Sequence, residues 1–394
     1  MQEFSFHCPT EIVFGRSAEE RTAGLLRKYG ARRVFVVYGG GSVIRSGLLA
    51  RIECIMTAEG LAFSVKGGVR PNPRLSFVRE AVREALEFGA DFILAVGGGS
   101  VIDTAKALAH GTANPEIDVW DFWTGKAQLT KSLPVGVVLT LPAAGSETSD
   151  SAVLTSEEAS EKMGLPSPFN RPAFAVLNPE LAFSLSSPQL AAGIADIIMH
   201  TLERYMTHTE GNEFTDLLAE ALLKNVVKHA PIVLAHHKDY DAMSEIMWCG
   251  TVSHCGLTGL GREKDFSVHK LGHALSAHYD TNHGESLTAL WGAWARAVYE
   301  DRPERFARYA EKVWGVDAGS PEERARAGIR KTEEFFRSLK LPTSLGDLST
   351  GVLDHRALEA LADNVTAGGT RSVGAFHPID RAFALKIYEA ANHG

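Results

Sequence analysis

Up to about residue 186, apolar positions come in short continuous runs that stop at glycine or proline, with stretches of helical period between them. "RRVFVVYGGG" (32–41), "DFILAVGGGS" (91–100), "PVGVVLTLP" (134–142) and "AFAVLNPE" (173–180) read as strands. "NPRLSFVREAVREALEFGA" (72–90) and "VIDTAKALAH" (101–110) read as helices. Strands that are apolar throughout, alternating with helices, predict a parallel sheet covered on both faces. Beyond residue 186 the strand signals almost vanish. "SPQLAAGIADIIMHTLERYMTH" (187–208) predicts a long helix, with Ser187 as its cap and Pro188 in its first turn. "EFTDLLAEALLKNVVKHA", "DAMSEIMWCGTVSHCGL", "DFSVHKLGHALSAHY", "PERFARYAEKVW" and "SPEERARAGIRKTEEFFRSL" keep the same 3.6-residue period. The pattern predicts an α/β domain over 1–185 and a helical domain over 186–394, the boundary lying near "LNPELAFSLSSP".

Composition narrows the functional classes. With 45% hydrophobic and 22% charged residues the chain has the make-up of a soluble globular protein. A net charge of -8 without a basic block argues against nucleic acid or an anionic membrane as partner. No apolar run reaches membrane-spanning length, and "MQEFSFHCPT" lacks a signal-peptide layout. Four cysteines without a CxxC pair suggest neither a disulfide framework nor a thiolate zinc site, and a reducing cytoplasm is the expected location.

Two glycine turns carry candidate chemistry. In "AVGGGSVIDTAKAL", Gly97, Gly98 and Gly99 end a strand and open a helix, so backbone N–H groups and the helix dipole could hold a pyrophosphate, with Ser100 as a further donor. In "VVYGGGSVIRSG", the strand end that often carries an acid for a ribose 2′-hydroxyl reads Gly39, Gly40, Gly41, Ser42. With no carboxylate there, and with Ser42 and Arg45 at hand, a 2′-phosphate is tolerated, which favours NADP over NAD.

The run "GIADIIMH" places Asp196 and His200 one helical turn apart in an otherwise apolar setting. "DFSVHKLGHALSAHYDTNHG" adds His269, His273, His278 and His283, and His269 and His273 again share a face. Ten of the fifteen histidines fall within residues 200–283. Burying such groups without a partner is costly, which makes a metal site the economical reading. Carboxylate and imidazole ligands suit iron(II) or zinc and suit magnesium or calcium poorly.

"FSFHCPTEIVFG", "GGGSVIDTAKAL", "LPVGVVLTLPAAGSE", "LNPEL", "DIIMH" and the closing His…His…HisGly run together resemble the iron-containing (group III) alcohol dehydrogenases, within them the NADPH-dependent butanol dehydrogenase and aldehyde reductase branch. The resemblance spans nearly the whole chain. It implies a Rossmann-like dinucleotide-binding domain followed by an all-α metal-binding domain, the dehydroquinate synthase-like architecture. It implies one divalent metal, Fe2+ or Zn2+, on Asp196, His200, His269 and His283, with His273 beside the metal as a proton relay. It also implies that Gly97–Ser100 hold the pyrophosphate of NADP(H), with Asp103, just inside the following helix near the catalytic cleft, as a catalytic residue. Thr140, Leu141 and Ser146 would line the nucleotide, Lys162 would approach the nicotinamide ribose, and Gly39, Gly40 and Ser42 would surround the 2′-phosphate. The implied activity is hydride transfer between NADP(H) and a small primary alcohol or aldehyde, by a cytoplasmic homodimer.

Three positions depart from the family pattern. Ile44 followed by Arg45 stands where relatives often carry a lysine, "LNPE" replaces "LDPE", and "HGESLTALW" brings Glu285 next to His283. Glu285 is expected to point away as the first-turn acid of a helix. An NAD-dependent polyol (glycerol-type) dehydrogenase of the same fold and a non-catalytic nucleotide-binding homologue are the alternatives. A metal hydrolase lacks its HExxH spacing and leaves the glycine turns without a purpose.

Overall fold

The computed structural model describes residues 1–394. The chain divides into two compact units, His7–Leu185 and Ser186–Gly394, and Met1–Phe6 belong with the second. The sequence pattern groups those six residues with the first domain. Two backbone contacts place them with the second, from the Met1 amino group to the Glu210 carbonyl (2.8 Å) and from Gln2 N–H to the Gly261 carbonyl (2.9 Å).

The first unit is built on a six-stranded sheet of order β1-β8-β5-β4-β2-β3. Its strands are β1 (Glu11–Phe14), β2 (Arg33–Tyr38), β3 (Ala62–Lys66), β4 (Phe92–Gly97), β5 (Val135–Leu139) and β8 (Phe174–Leu177). Every pairing is parallel. All residues of β4, β5 and β8 are buried, which is why these strands read as unbroken apolar runs. A separate antiparallel hairpin joins β6 (Ser151–Ser156) to β7 (Glu161–Pro166). The expected strands are present, while β1, β3 and the hairpin have no counterpart in the apolar pattern. β3 is an edge strand without a fully buried residue, and β7 is mostly polar or exposed, so neither writes a strong signal.

Chain order matters for the site. From β2 the chain moves outward to β3, then returns to the other side of β2 as β4. Ligands of open parallel sheets bind outside the carboxyl ends of the strands at such a reversal. The turn Gly39–Gly41 follows β2, and the turn at Gly97–Gly99 follows β4.

The second unit holds no strand, only helices and one isolated bridge between Val373 and Ile379. At its centre lies the Ser187–Tyr205 helix, buried from Leu190 to Tyr205. A helix apolar nearly all round has to be enclosed. It packs against the helices Glu213–Ala235, Tyr240–His254 and His283–Val298. Its cap is Ser186, one residue earlier than the pattern predicts: Ser186 donates from its backbone N–H (3.2 Å) and its hydroxyl (2.9 Å) to the Gln189 amide oxygen. Ser187 is already helical, because Pro188 suits the first turn and a cap must precede it. No helix is long and apolar enough to cross a membrane.

Candidate functional site

The buried central helix carries Asp196 and His200 one turn apart, and Glu203 follows one turn later on the same face. His269 enters from the Ser267–Tyr279 helix and His283 is the first residue of the His283–Val298 helix. The latter start is set by Asn282, whose side chain accepts from the Glu285 N–H (3.4 Å).

These elements bring one ligand-type atom each of Asp196, His200 and His269 within 4.8 Å of one another, and His283 stands beside Asp196. Asp196 Oδ1 lies 3.4 Å from His200 Nδ1, 3.5 Å from His269 Nε2 and 3.7 Å from His283 Nε2. A tetrahedral ion with ligand bonds of about 2.1 Å separates its ligands by ~3.4 Å, so the spacing is that of a shared ion. Asp196 Oδ1, His200 Nδ1 and His269 Nε2 are buried and have no hydrogen-bond partner in the protein, a costly arrangement that an ion would resolve. Side-chain exposure is 4% for His200, 6% for Asp196 and 7% for His269 but 27% for His283, so the cluster opens to solvent at His283. The residues present fit a divalent transition metal.

The electrostatics point the same way. Burial, followed by the neighbouring histidines His254 and His269, pushes the His200 imidazole well below its usual value, leaving it neutral as a ligand must be. Burial pulls His269 down too, but Glu203 and Asp196 outweigh it and raise that imidazole to about 9. Its Nδ1 donates to Glu203 Oε2, which leaves Nε2 as the atom facing Asp196. A cation held at Nε2 would stand in for a proton there, with the Asp196 carboxylate beside it and Glu203 still holding Nδ1.

Two neighbours escaped the sequence reading. Glu203 is fully buried and accepts from the His269 ring and from the N–H groups of Val268 (2.6 Å) and His269 (3.2 Å). Its spacing, three residues after His200 in a buried run, could have revealed it. His254 ends the Tyr240–His254 helix with its ring centroid 4.1 Å from that of His200, and no local pattern announces that contact. Of the remaining histidines, His273 is half-buried with its ring 5.5 Å from His283, whereas His278 is exposed and outside the cluster. Glu285 sits in the first helical turn, where burial raises its carboxyl.

In the first unit, the carboxyl ends of β2, β4 and β5 gather the other candidates. Gly39, Gly40 and Ser42 follow β2, Gly97 ends β4, and Gly98, Gly99 and Ser100 open the Gly99–Ala113 helix. Thr140 and Leu141 follow β5, where Thr140 N–H donates to the Gly97 carbonyl (3.1 Å). A Cβ on Gly98 would come within 3.0 Å of Leu141 Cβ, tighter than an ordinary contact, so the two turns lie close together here. Arg45 folds back over the first turn, with Nη1 2.7 Å from where a Gly41 Cβ would stand. Lys162 donates to Asn72 Oδ1 (2.8 Å). Ser146 is buried and donates to Asp103 Oδ1 (2.6 Å), while Val153 N–H donates to Asp103 Oδ2 (3.0 Å). Both Asp103 oxygens are thus engaged by the chain itself.

Comparison with known proteins matches residues 9–179 to the family "Iron-containing alcohol dehydrogenase" and residues 190–392 to "Fe-containing alcohol dehydrogenase family, C-terminal". The NADH-dependent butanol dehydrogenase A of Clostridium acetobutylicum is 36% identical over 99% of both chains. The NADPH-dependent aldehyde reductase YqhD of Escherichia coli is 35% identical over 99% of this chain and 100% of its own. The crystal structure of NADH-dependent butanol dehydrogenase A from Thermotoga maritima superposes with a TM-score of 0.96 at 32% identity, covering 100% of this chain and 99% of that one. With both halves matched and full-length relatives at this identity, the chain belongs to the iron-containing alcohol dehydrogenase family.

Proposed function

We propose that the protein interconverts small primary alcohols and aldehydes by hydride transfer with NADP(H), using one divalent metal, iron(II) or zinc. The observation that carries this reading is the buried cluster of Asp196, His200 and His269, with His283 Nε2 3.7 Å from Asp196 Oδ1 on its more exposed side. The relatives named for butanol dehydrogenase and aldehyde reductase activity support the substrate class.

When bound, the metal supplies the Lewis acidity that polarises a carbonyl oxygen. Glu203 holds the His269 ring in the tautomer that presents Nε2. The Gly97–Ser100 turn and the amino end of its helix bind the pyrophosphate, and Thr140, Leu141 and Lys162 orient the nicotinamide end. His273, half-buried beside His283, delivers the proton that the product alcohol oxygen takes up. The residues assigned to nucleotide lie in the first unit and those assigned to metal in the second.

The preference for NADP(H) rests on the first glycine turn. It offers no carboxylate to repel a 2′-phosphate, and the Arg45 guanidinium folded over Gly41 offers a charge to attract one. Relatives by name divide between NADH and NADPH.

The test measures NADPH and NADH oxidation with butanal, before and after chelation and reloading with iron(II) or zinc. Metal-dependent turnover favouring NADPH is the expected result. Turnover that survives complete metal removal would remove the metal assignment, and equal use of both nucleotides would remove the role of Arg45.

A further inference from the structure

Among the buried charges that the reaction described above leaves unused is that of Lys106. Lys106 is wholly inaccessible to solvent on the Gly99–Ala113 helix, one turn beyond Asp103. An ammonium is expensive to bury unless the protein surrounds it with oxygens. Here it donates to Ser146 Oγ (2.9 Å) and the Ser151 carbonyl (2.7 Å), with longer contacts to the carbonyl and hydroxyl oxygens of Ser149 (3.4 Å each). Asp103 Oδ1 stands 4.0 Å away. Asp103 in turn accepts from Ser146 Oγ and Val153 N–H.

Every one of these partners outside the helix lies in the segment 146–153. Residues 140–150 of the connection from β5 to β6 form neither helix nor strand. Its near end is seated against the phosphate turn, since a Cβ on Gly99 would come within 3.2 Å of Ala144 Cβ. Its far end is held by Asp103 and Lys106, which project from the same helix whose amino end carries that turn. One helix therefore carries the turn and holds the segment that follows β5.

We infer that Asp103 and Lys106 are a positioning pair that fixes the 140–153 segment in the conformation required for nucleotide binding, Lys106 itself touching no reactant. The inference rests on the proposed nucleotide role of the Gly97–Ser100 turn and the Thr140–Ser146 segment. It replaces a direct role of Asp103 in the chemistry with one exerted through Ser146 and Val153. Burial pushes the Lys106 ammonium down to about 8, while Asp103, Glu147 and Asp150 hold it up, so the site sustains a charge only because of its oxygens.

The experiment compares the wild type with Lys106→Met, which keeps the length of the side chain and removes the cation. NADPH affinity is read by nicotinamide fluorescence titration, alongside metal content, butanal KM and thermal midpoint. The expected result is NADPH binding at least tenfold weaker, with metal content and butanal KM within twofold of wild type. A folded Lys106→Met protein with wild-type NADPH affinity and only a lower thermal midpoint makes Lys106 a purely structural group and overturns the proposal. If Lys106→Met does not fold, the double variant Asp103→Asn/Lys106→Met, which buries no net charge, is read by the same criterion. Failure of the wild type itself to bind NADPH would overturn the nucleotide reading first, and the positioning role with it.

Discussion

Replacing Gly284 by alanine should dismantle the metal centre from outside its ligand set. A Cβ at Gly284 would stand 2.1 Å from the Ala192 carbonyl oxygen, 2.8 Å from its carbon and 3.0 Å from its Cα. All three atoms are backbone of the Ser187–Tyr205 helix, so no side chain can rotate aside. Restoring an ordinary contact of about 3.4 Å requires the two helices to part locally by ~1.3 Å. His283 is the adjacent residue, and its Nε2 already stands 3.7 Å from Asp196 Oδ1. A shift of that size carries it to ~5 Å, whereas ligand distances tolerate about 0.2 Å. Disturbing a partner of a ligand typically costs 10–100-fold in affinity, so displacing a ligand should cost at least ~100-fold. Overpacking adds about 1–3 kcal/mol of destabilisation, a fall of roughly 3–10 °C in thermal midpoint. The assay is competition for iron(II) or zinc against a chromophoric chelator, with metal per chain measured after dialysis. Gly24→Ala is the control, because a Cβ there meets nothing within 4 Å. Wild-type metal affinity in Gly284→Ala, at an unchanged thermal midpoint, would refute the reasoning that helix approach at Gly284 builds the site.

Glu203→Gln should lower metal affinity by about 10–100-fold while leaving NADPH binding intact, since it weakens the hold on His269 and on the backbone N–H groups of Val268 and His269, all in the second unit; unchanged metal retention on dialysis would end that role. Gly39→Asp should weaken NADPH far more than NADH, by charge repulsion at the 2′-phosphate, and equal losses in the two KM values would move the phosphate elsewhere. His110 is fully buried, contacting Ser132 Oγ and Asn170 Oδ1 at 2.8 Å each, and burial lowers its imidazole to about 4. Below its unfolded value near 6.5 the unfolded chain takes up a proton that the native imidazole refuses. Stability present above pH 6.5 is therefore lost as pH falls toward 4, by up to about 3 kcal/mol. Urea unfolding of wild type and His110→Gln at pH 7 and pH 4.5 checks this, and an identical pH loss in both proteins would exclude His110 as its source.

Local patterns could be read wherever the reason for them was local. β2, β4, β5 and β8 show in the sequence because strands buried on both faces must be apolar at every position. Asp196 and His200 show because one turn of helix puts them on one face, and a buried helix has no ordinary use for either. β1, β3 and the β6–β7 hairpin stayed hidden because edge and hairpin strands can be half polar.

The sequence by itself determined the two textures, the glycine turns and the residue types able to hold a divalent ion. Its motifs, taken together, also identified the family. Only the tertiary structure decided which histidines converge: His269 and His283 meet Asp196, His273 stands beside them, His278 turns to solvent, and His254 arrives unannounced. It also decided that Glu203 holds the His269 ring and that Asp103 is engaged by Ser146 and Val153. The physical reason is range. Periodicity and capping act over a few residues, whereas these contacts join segments about forty to ninety residues apart. They are set by the close approach of helices, as at Gly284, and by the cost of leaving buried polar atoms unpaired.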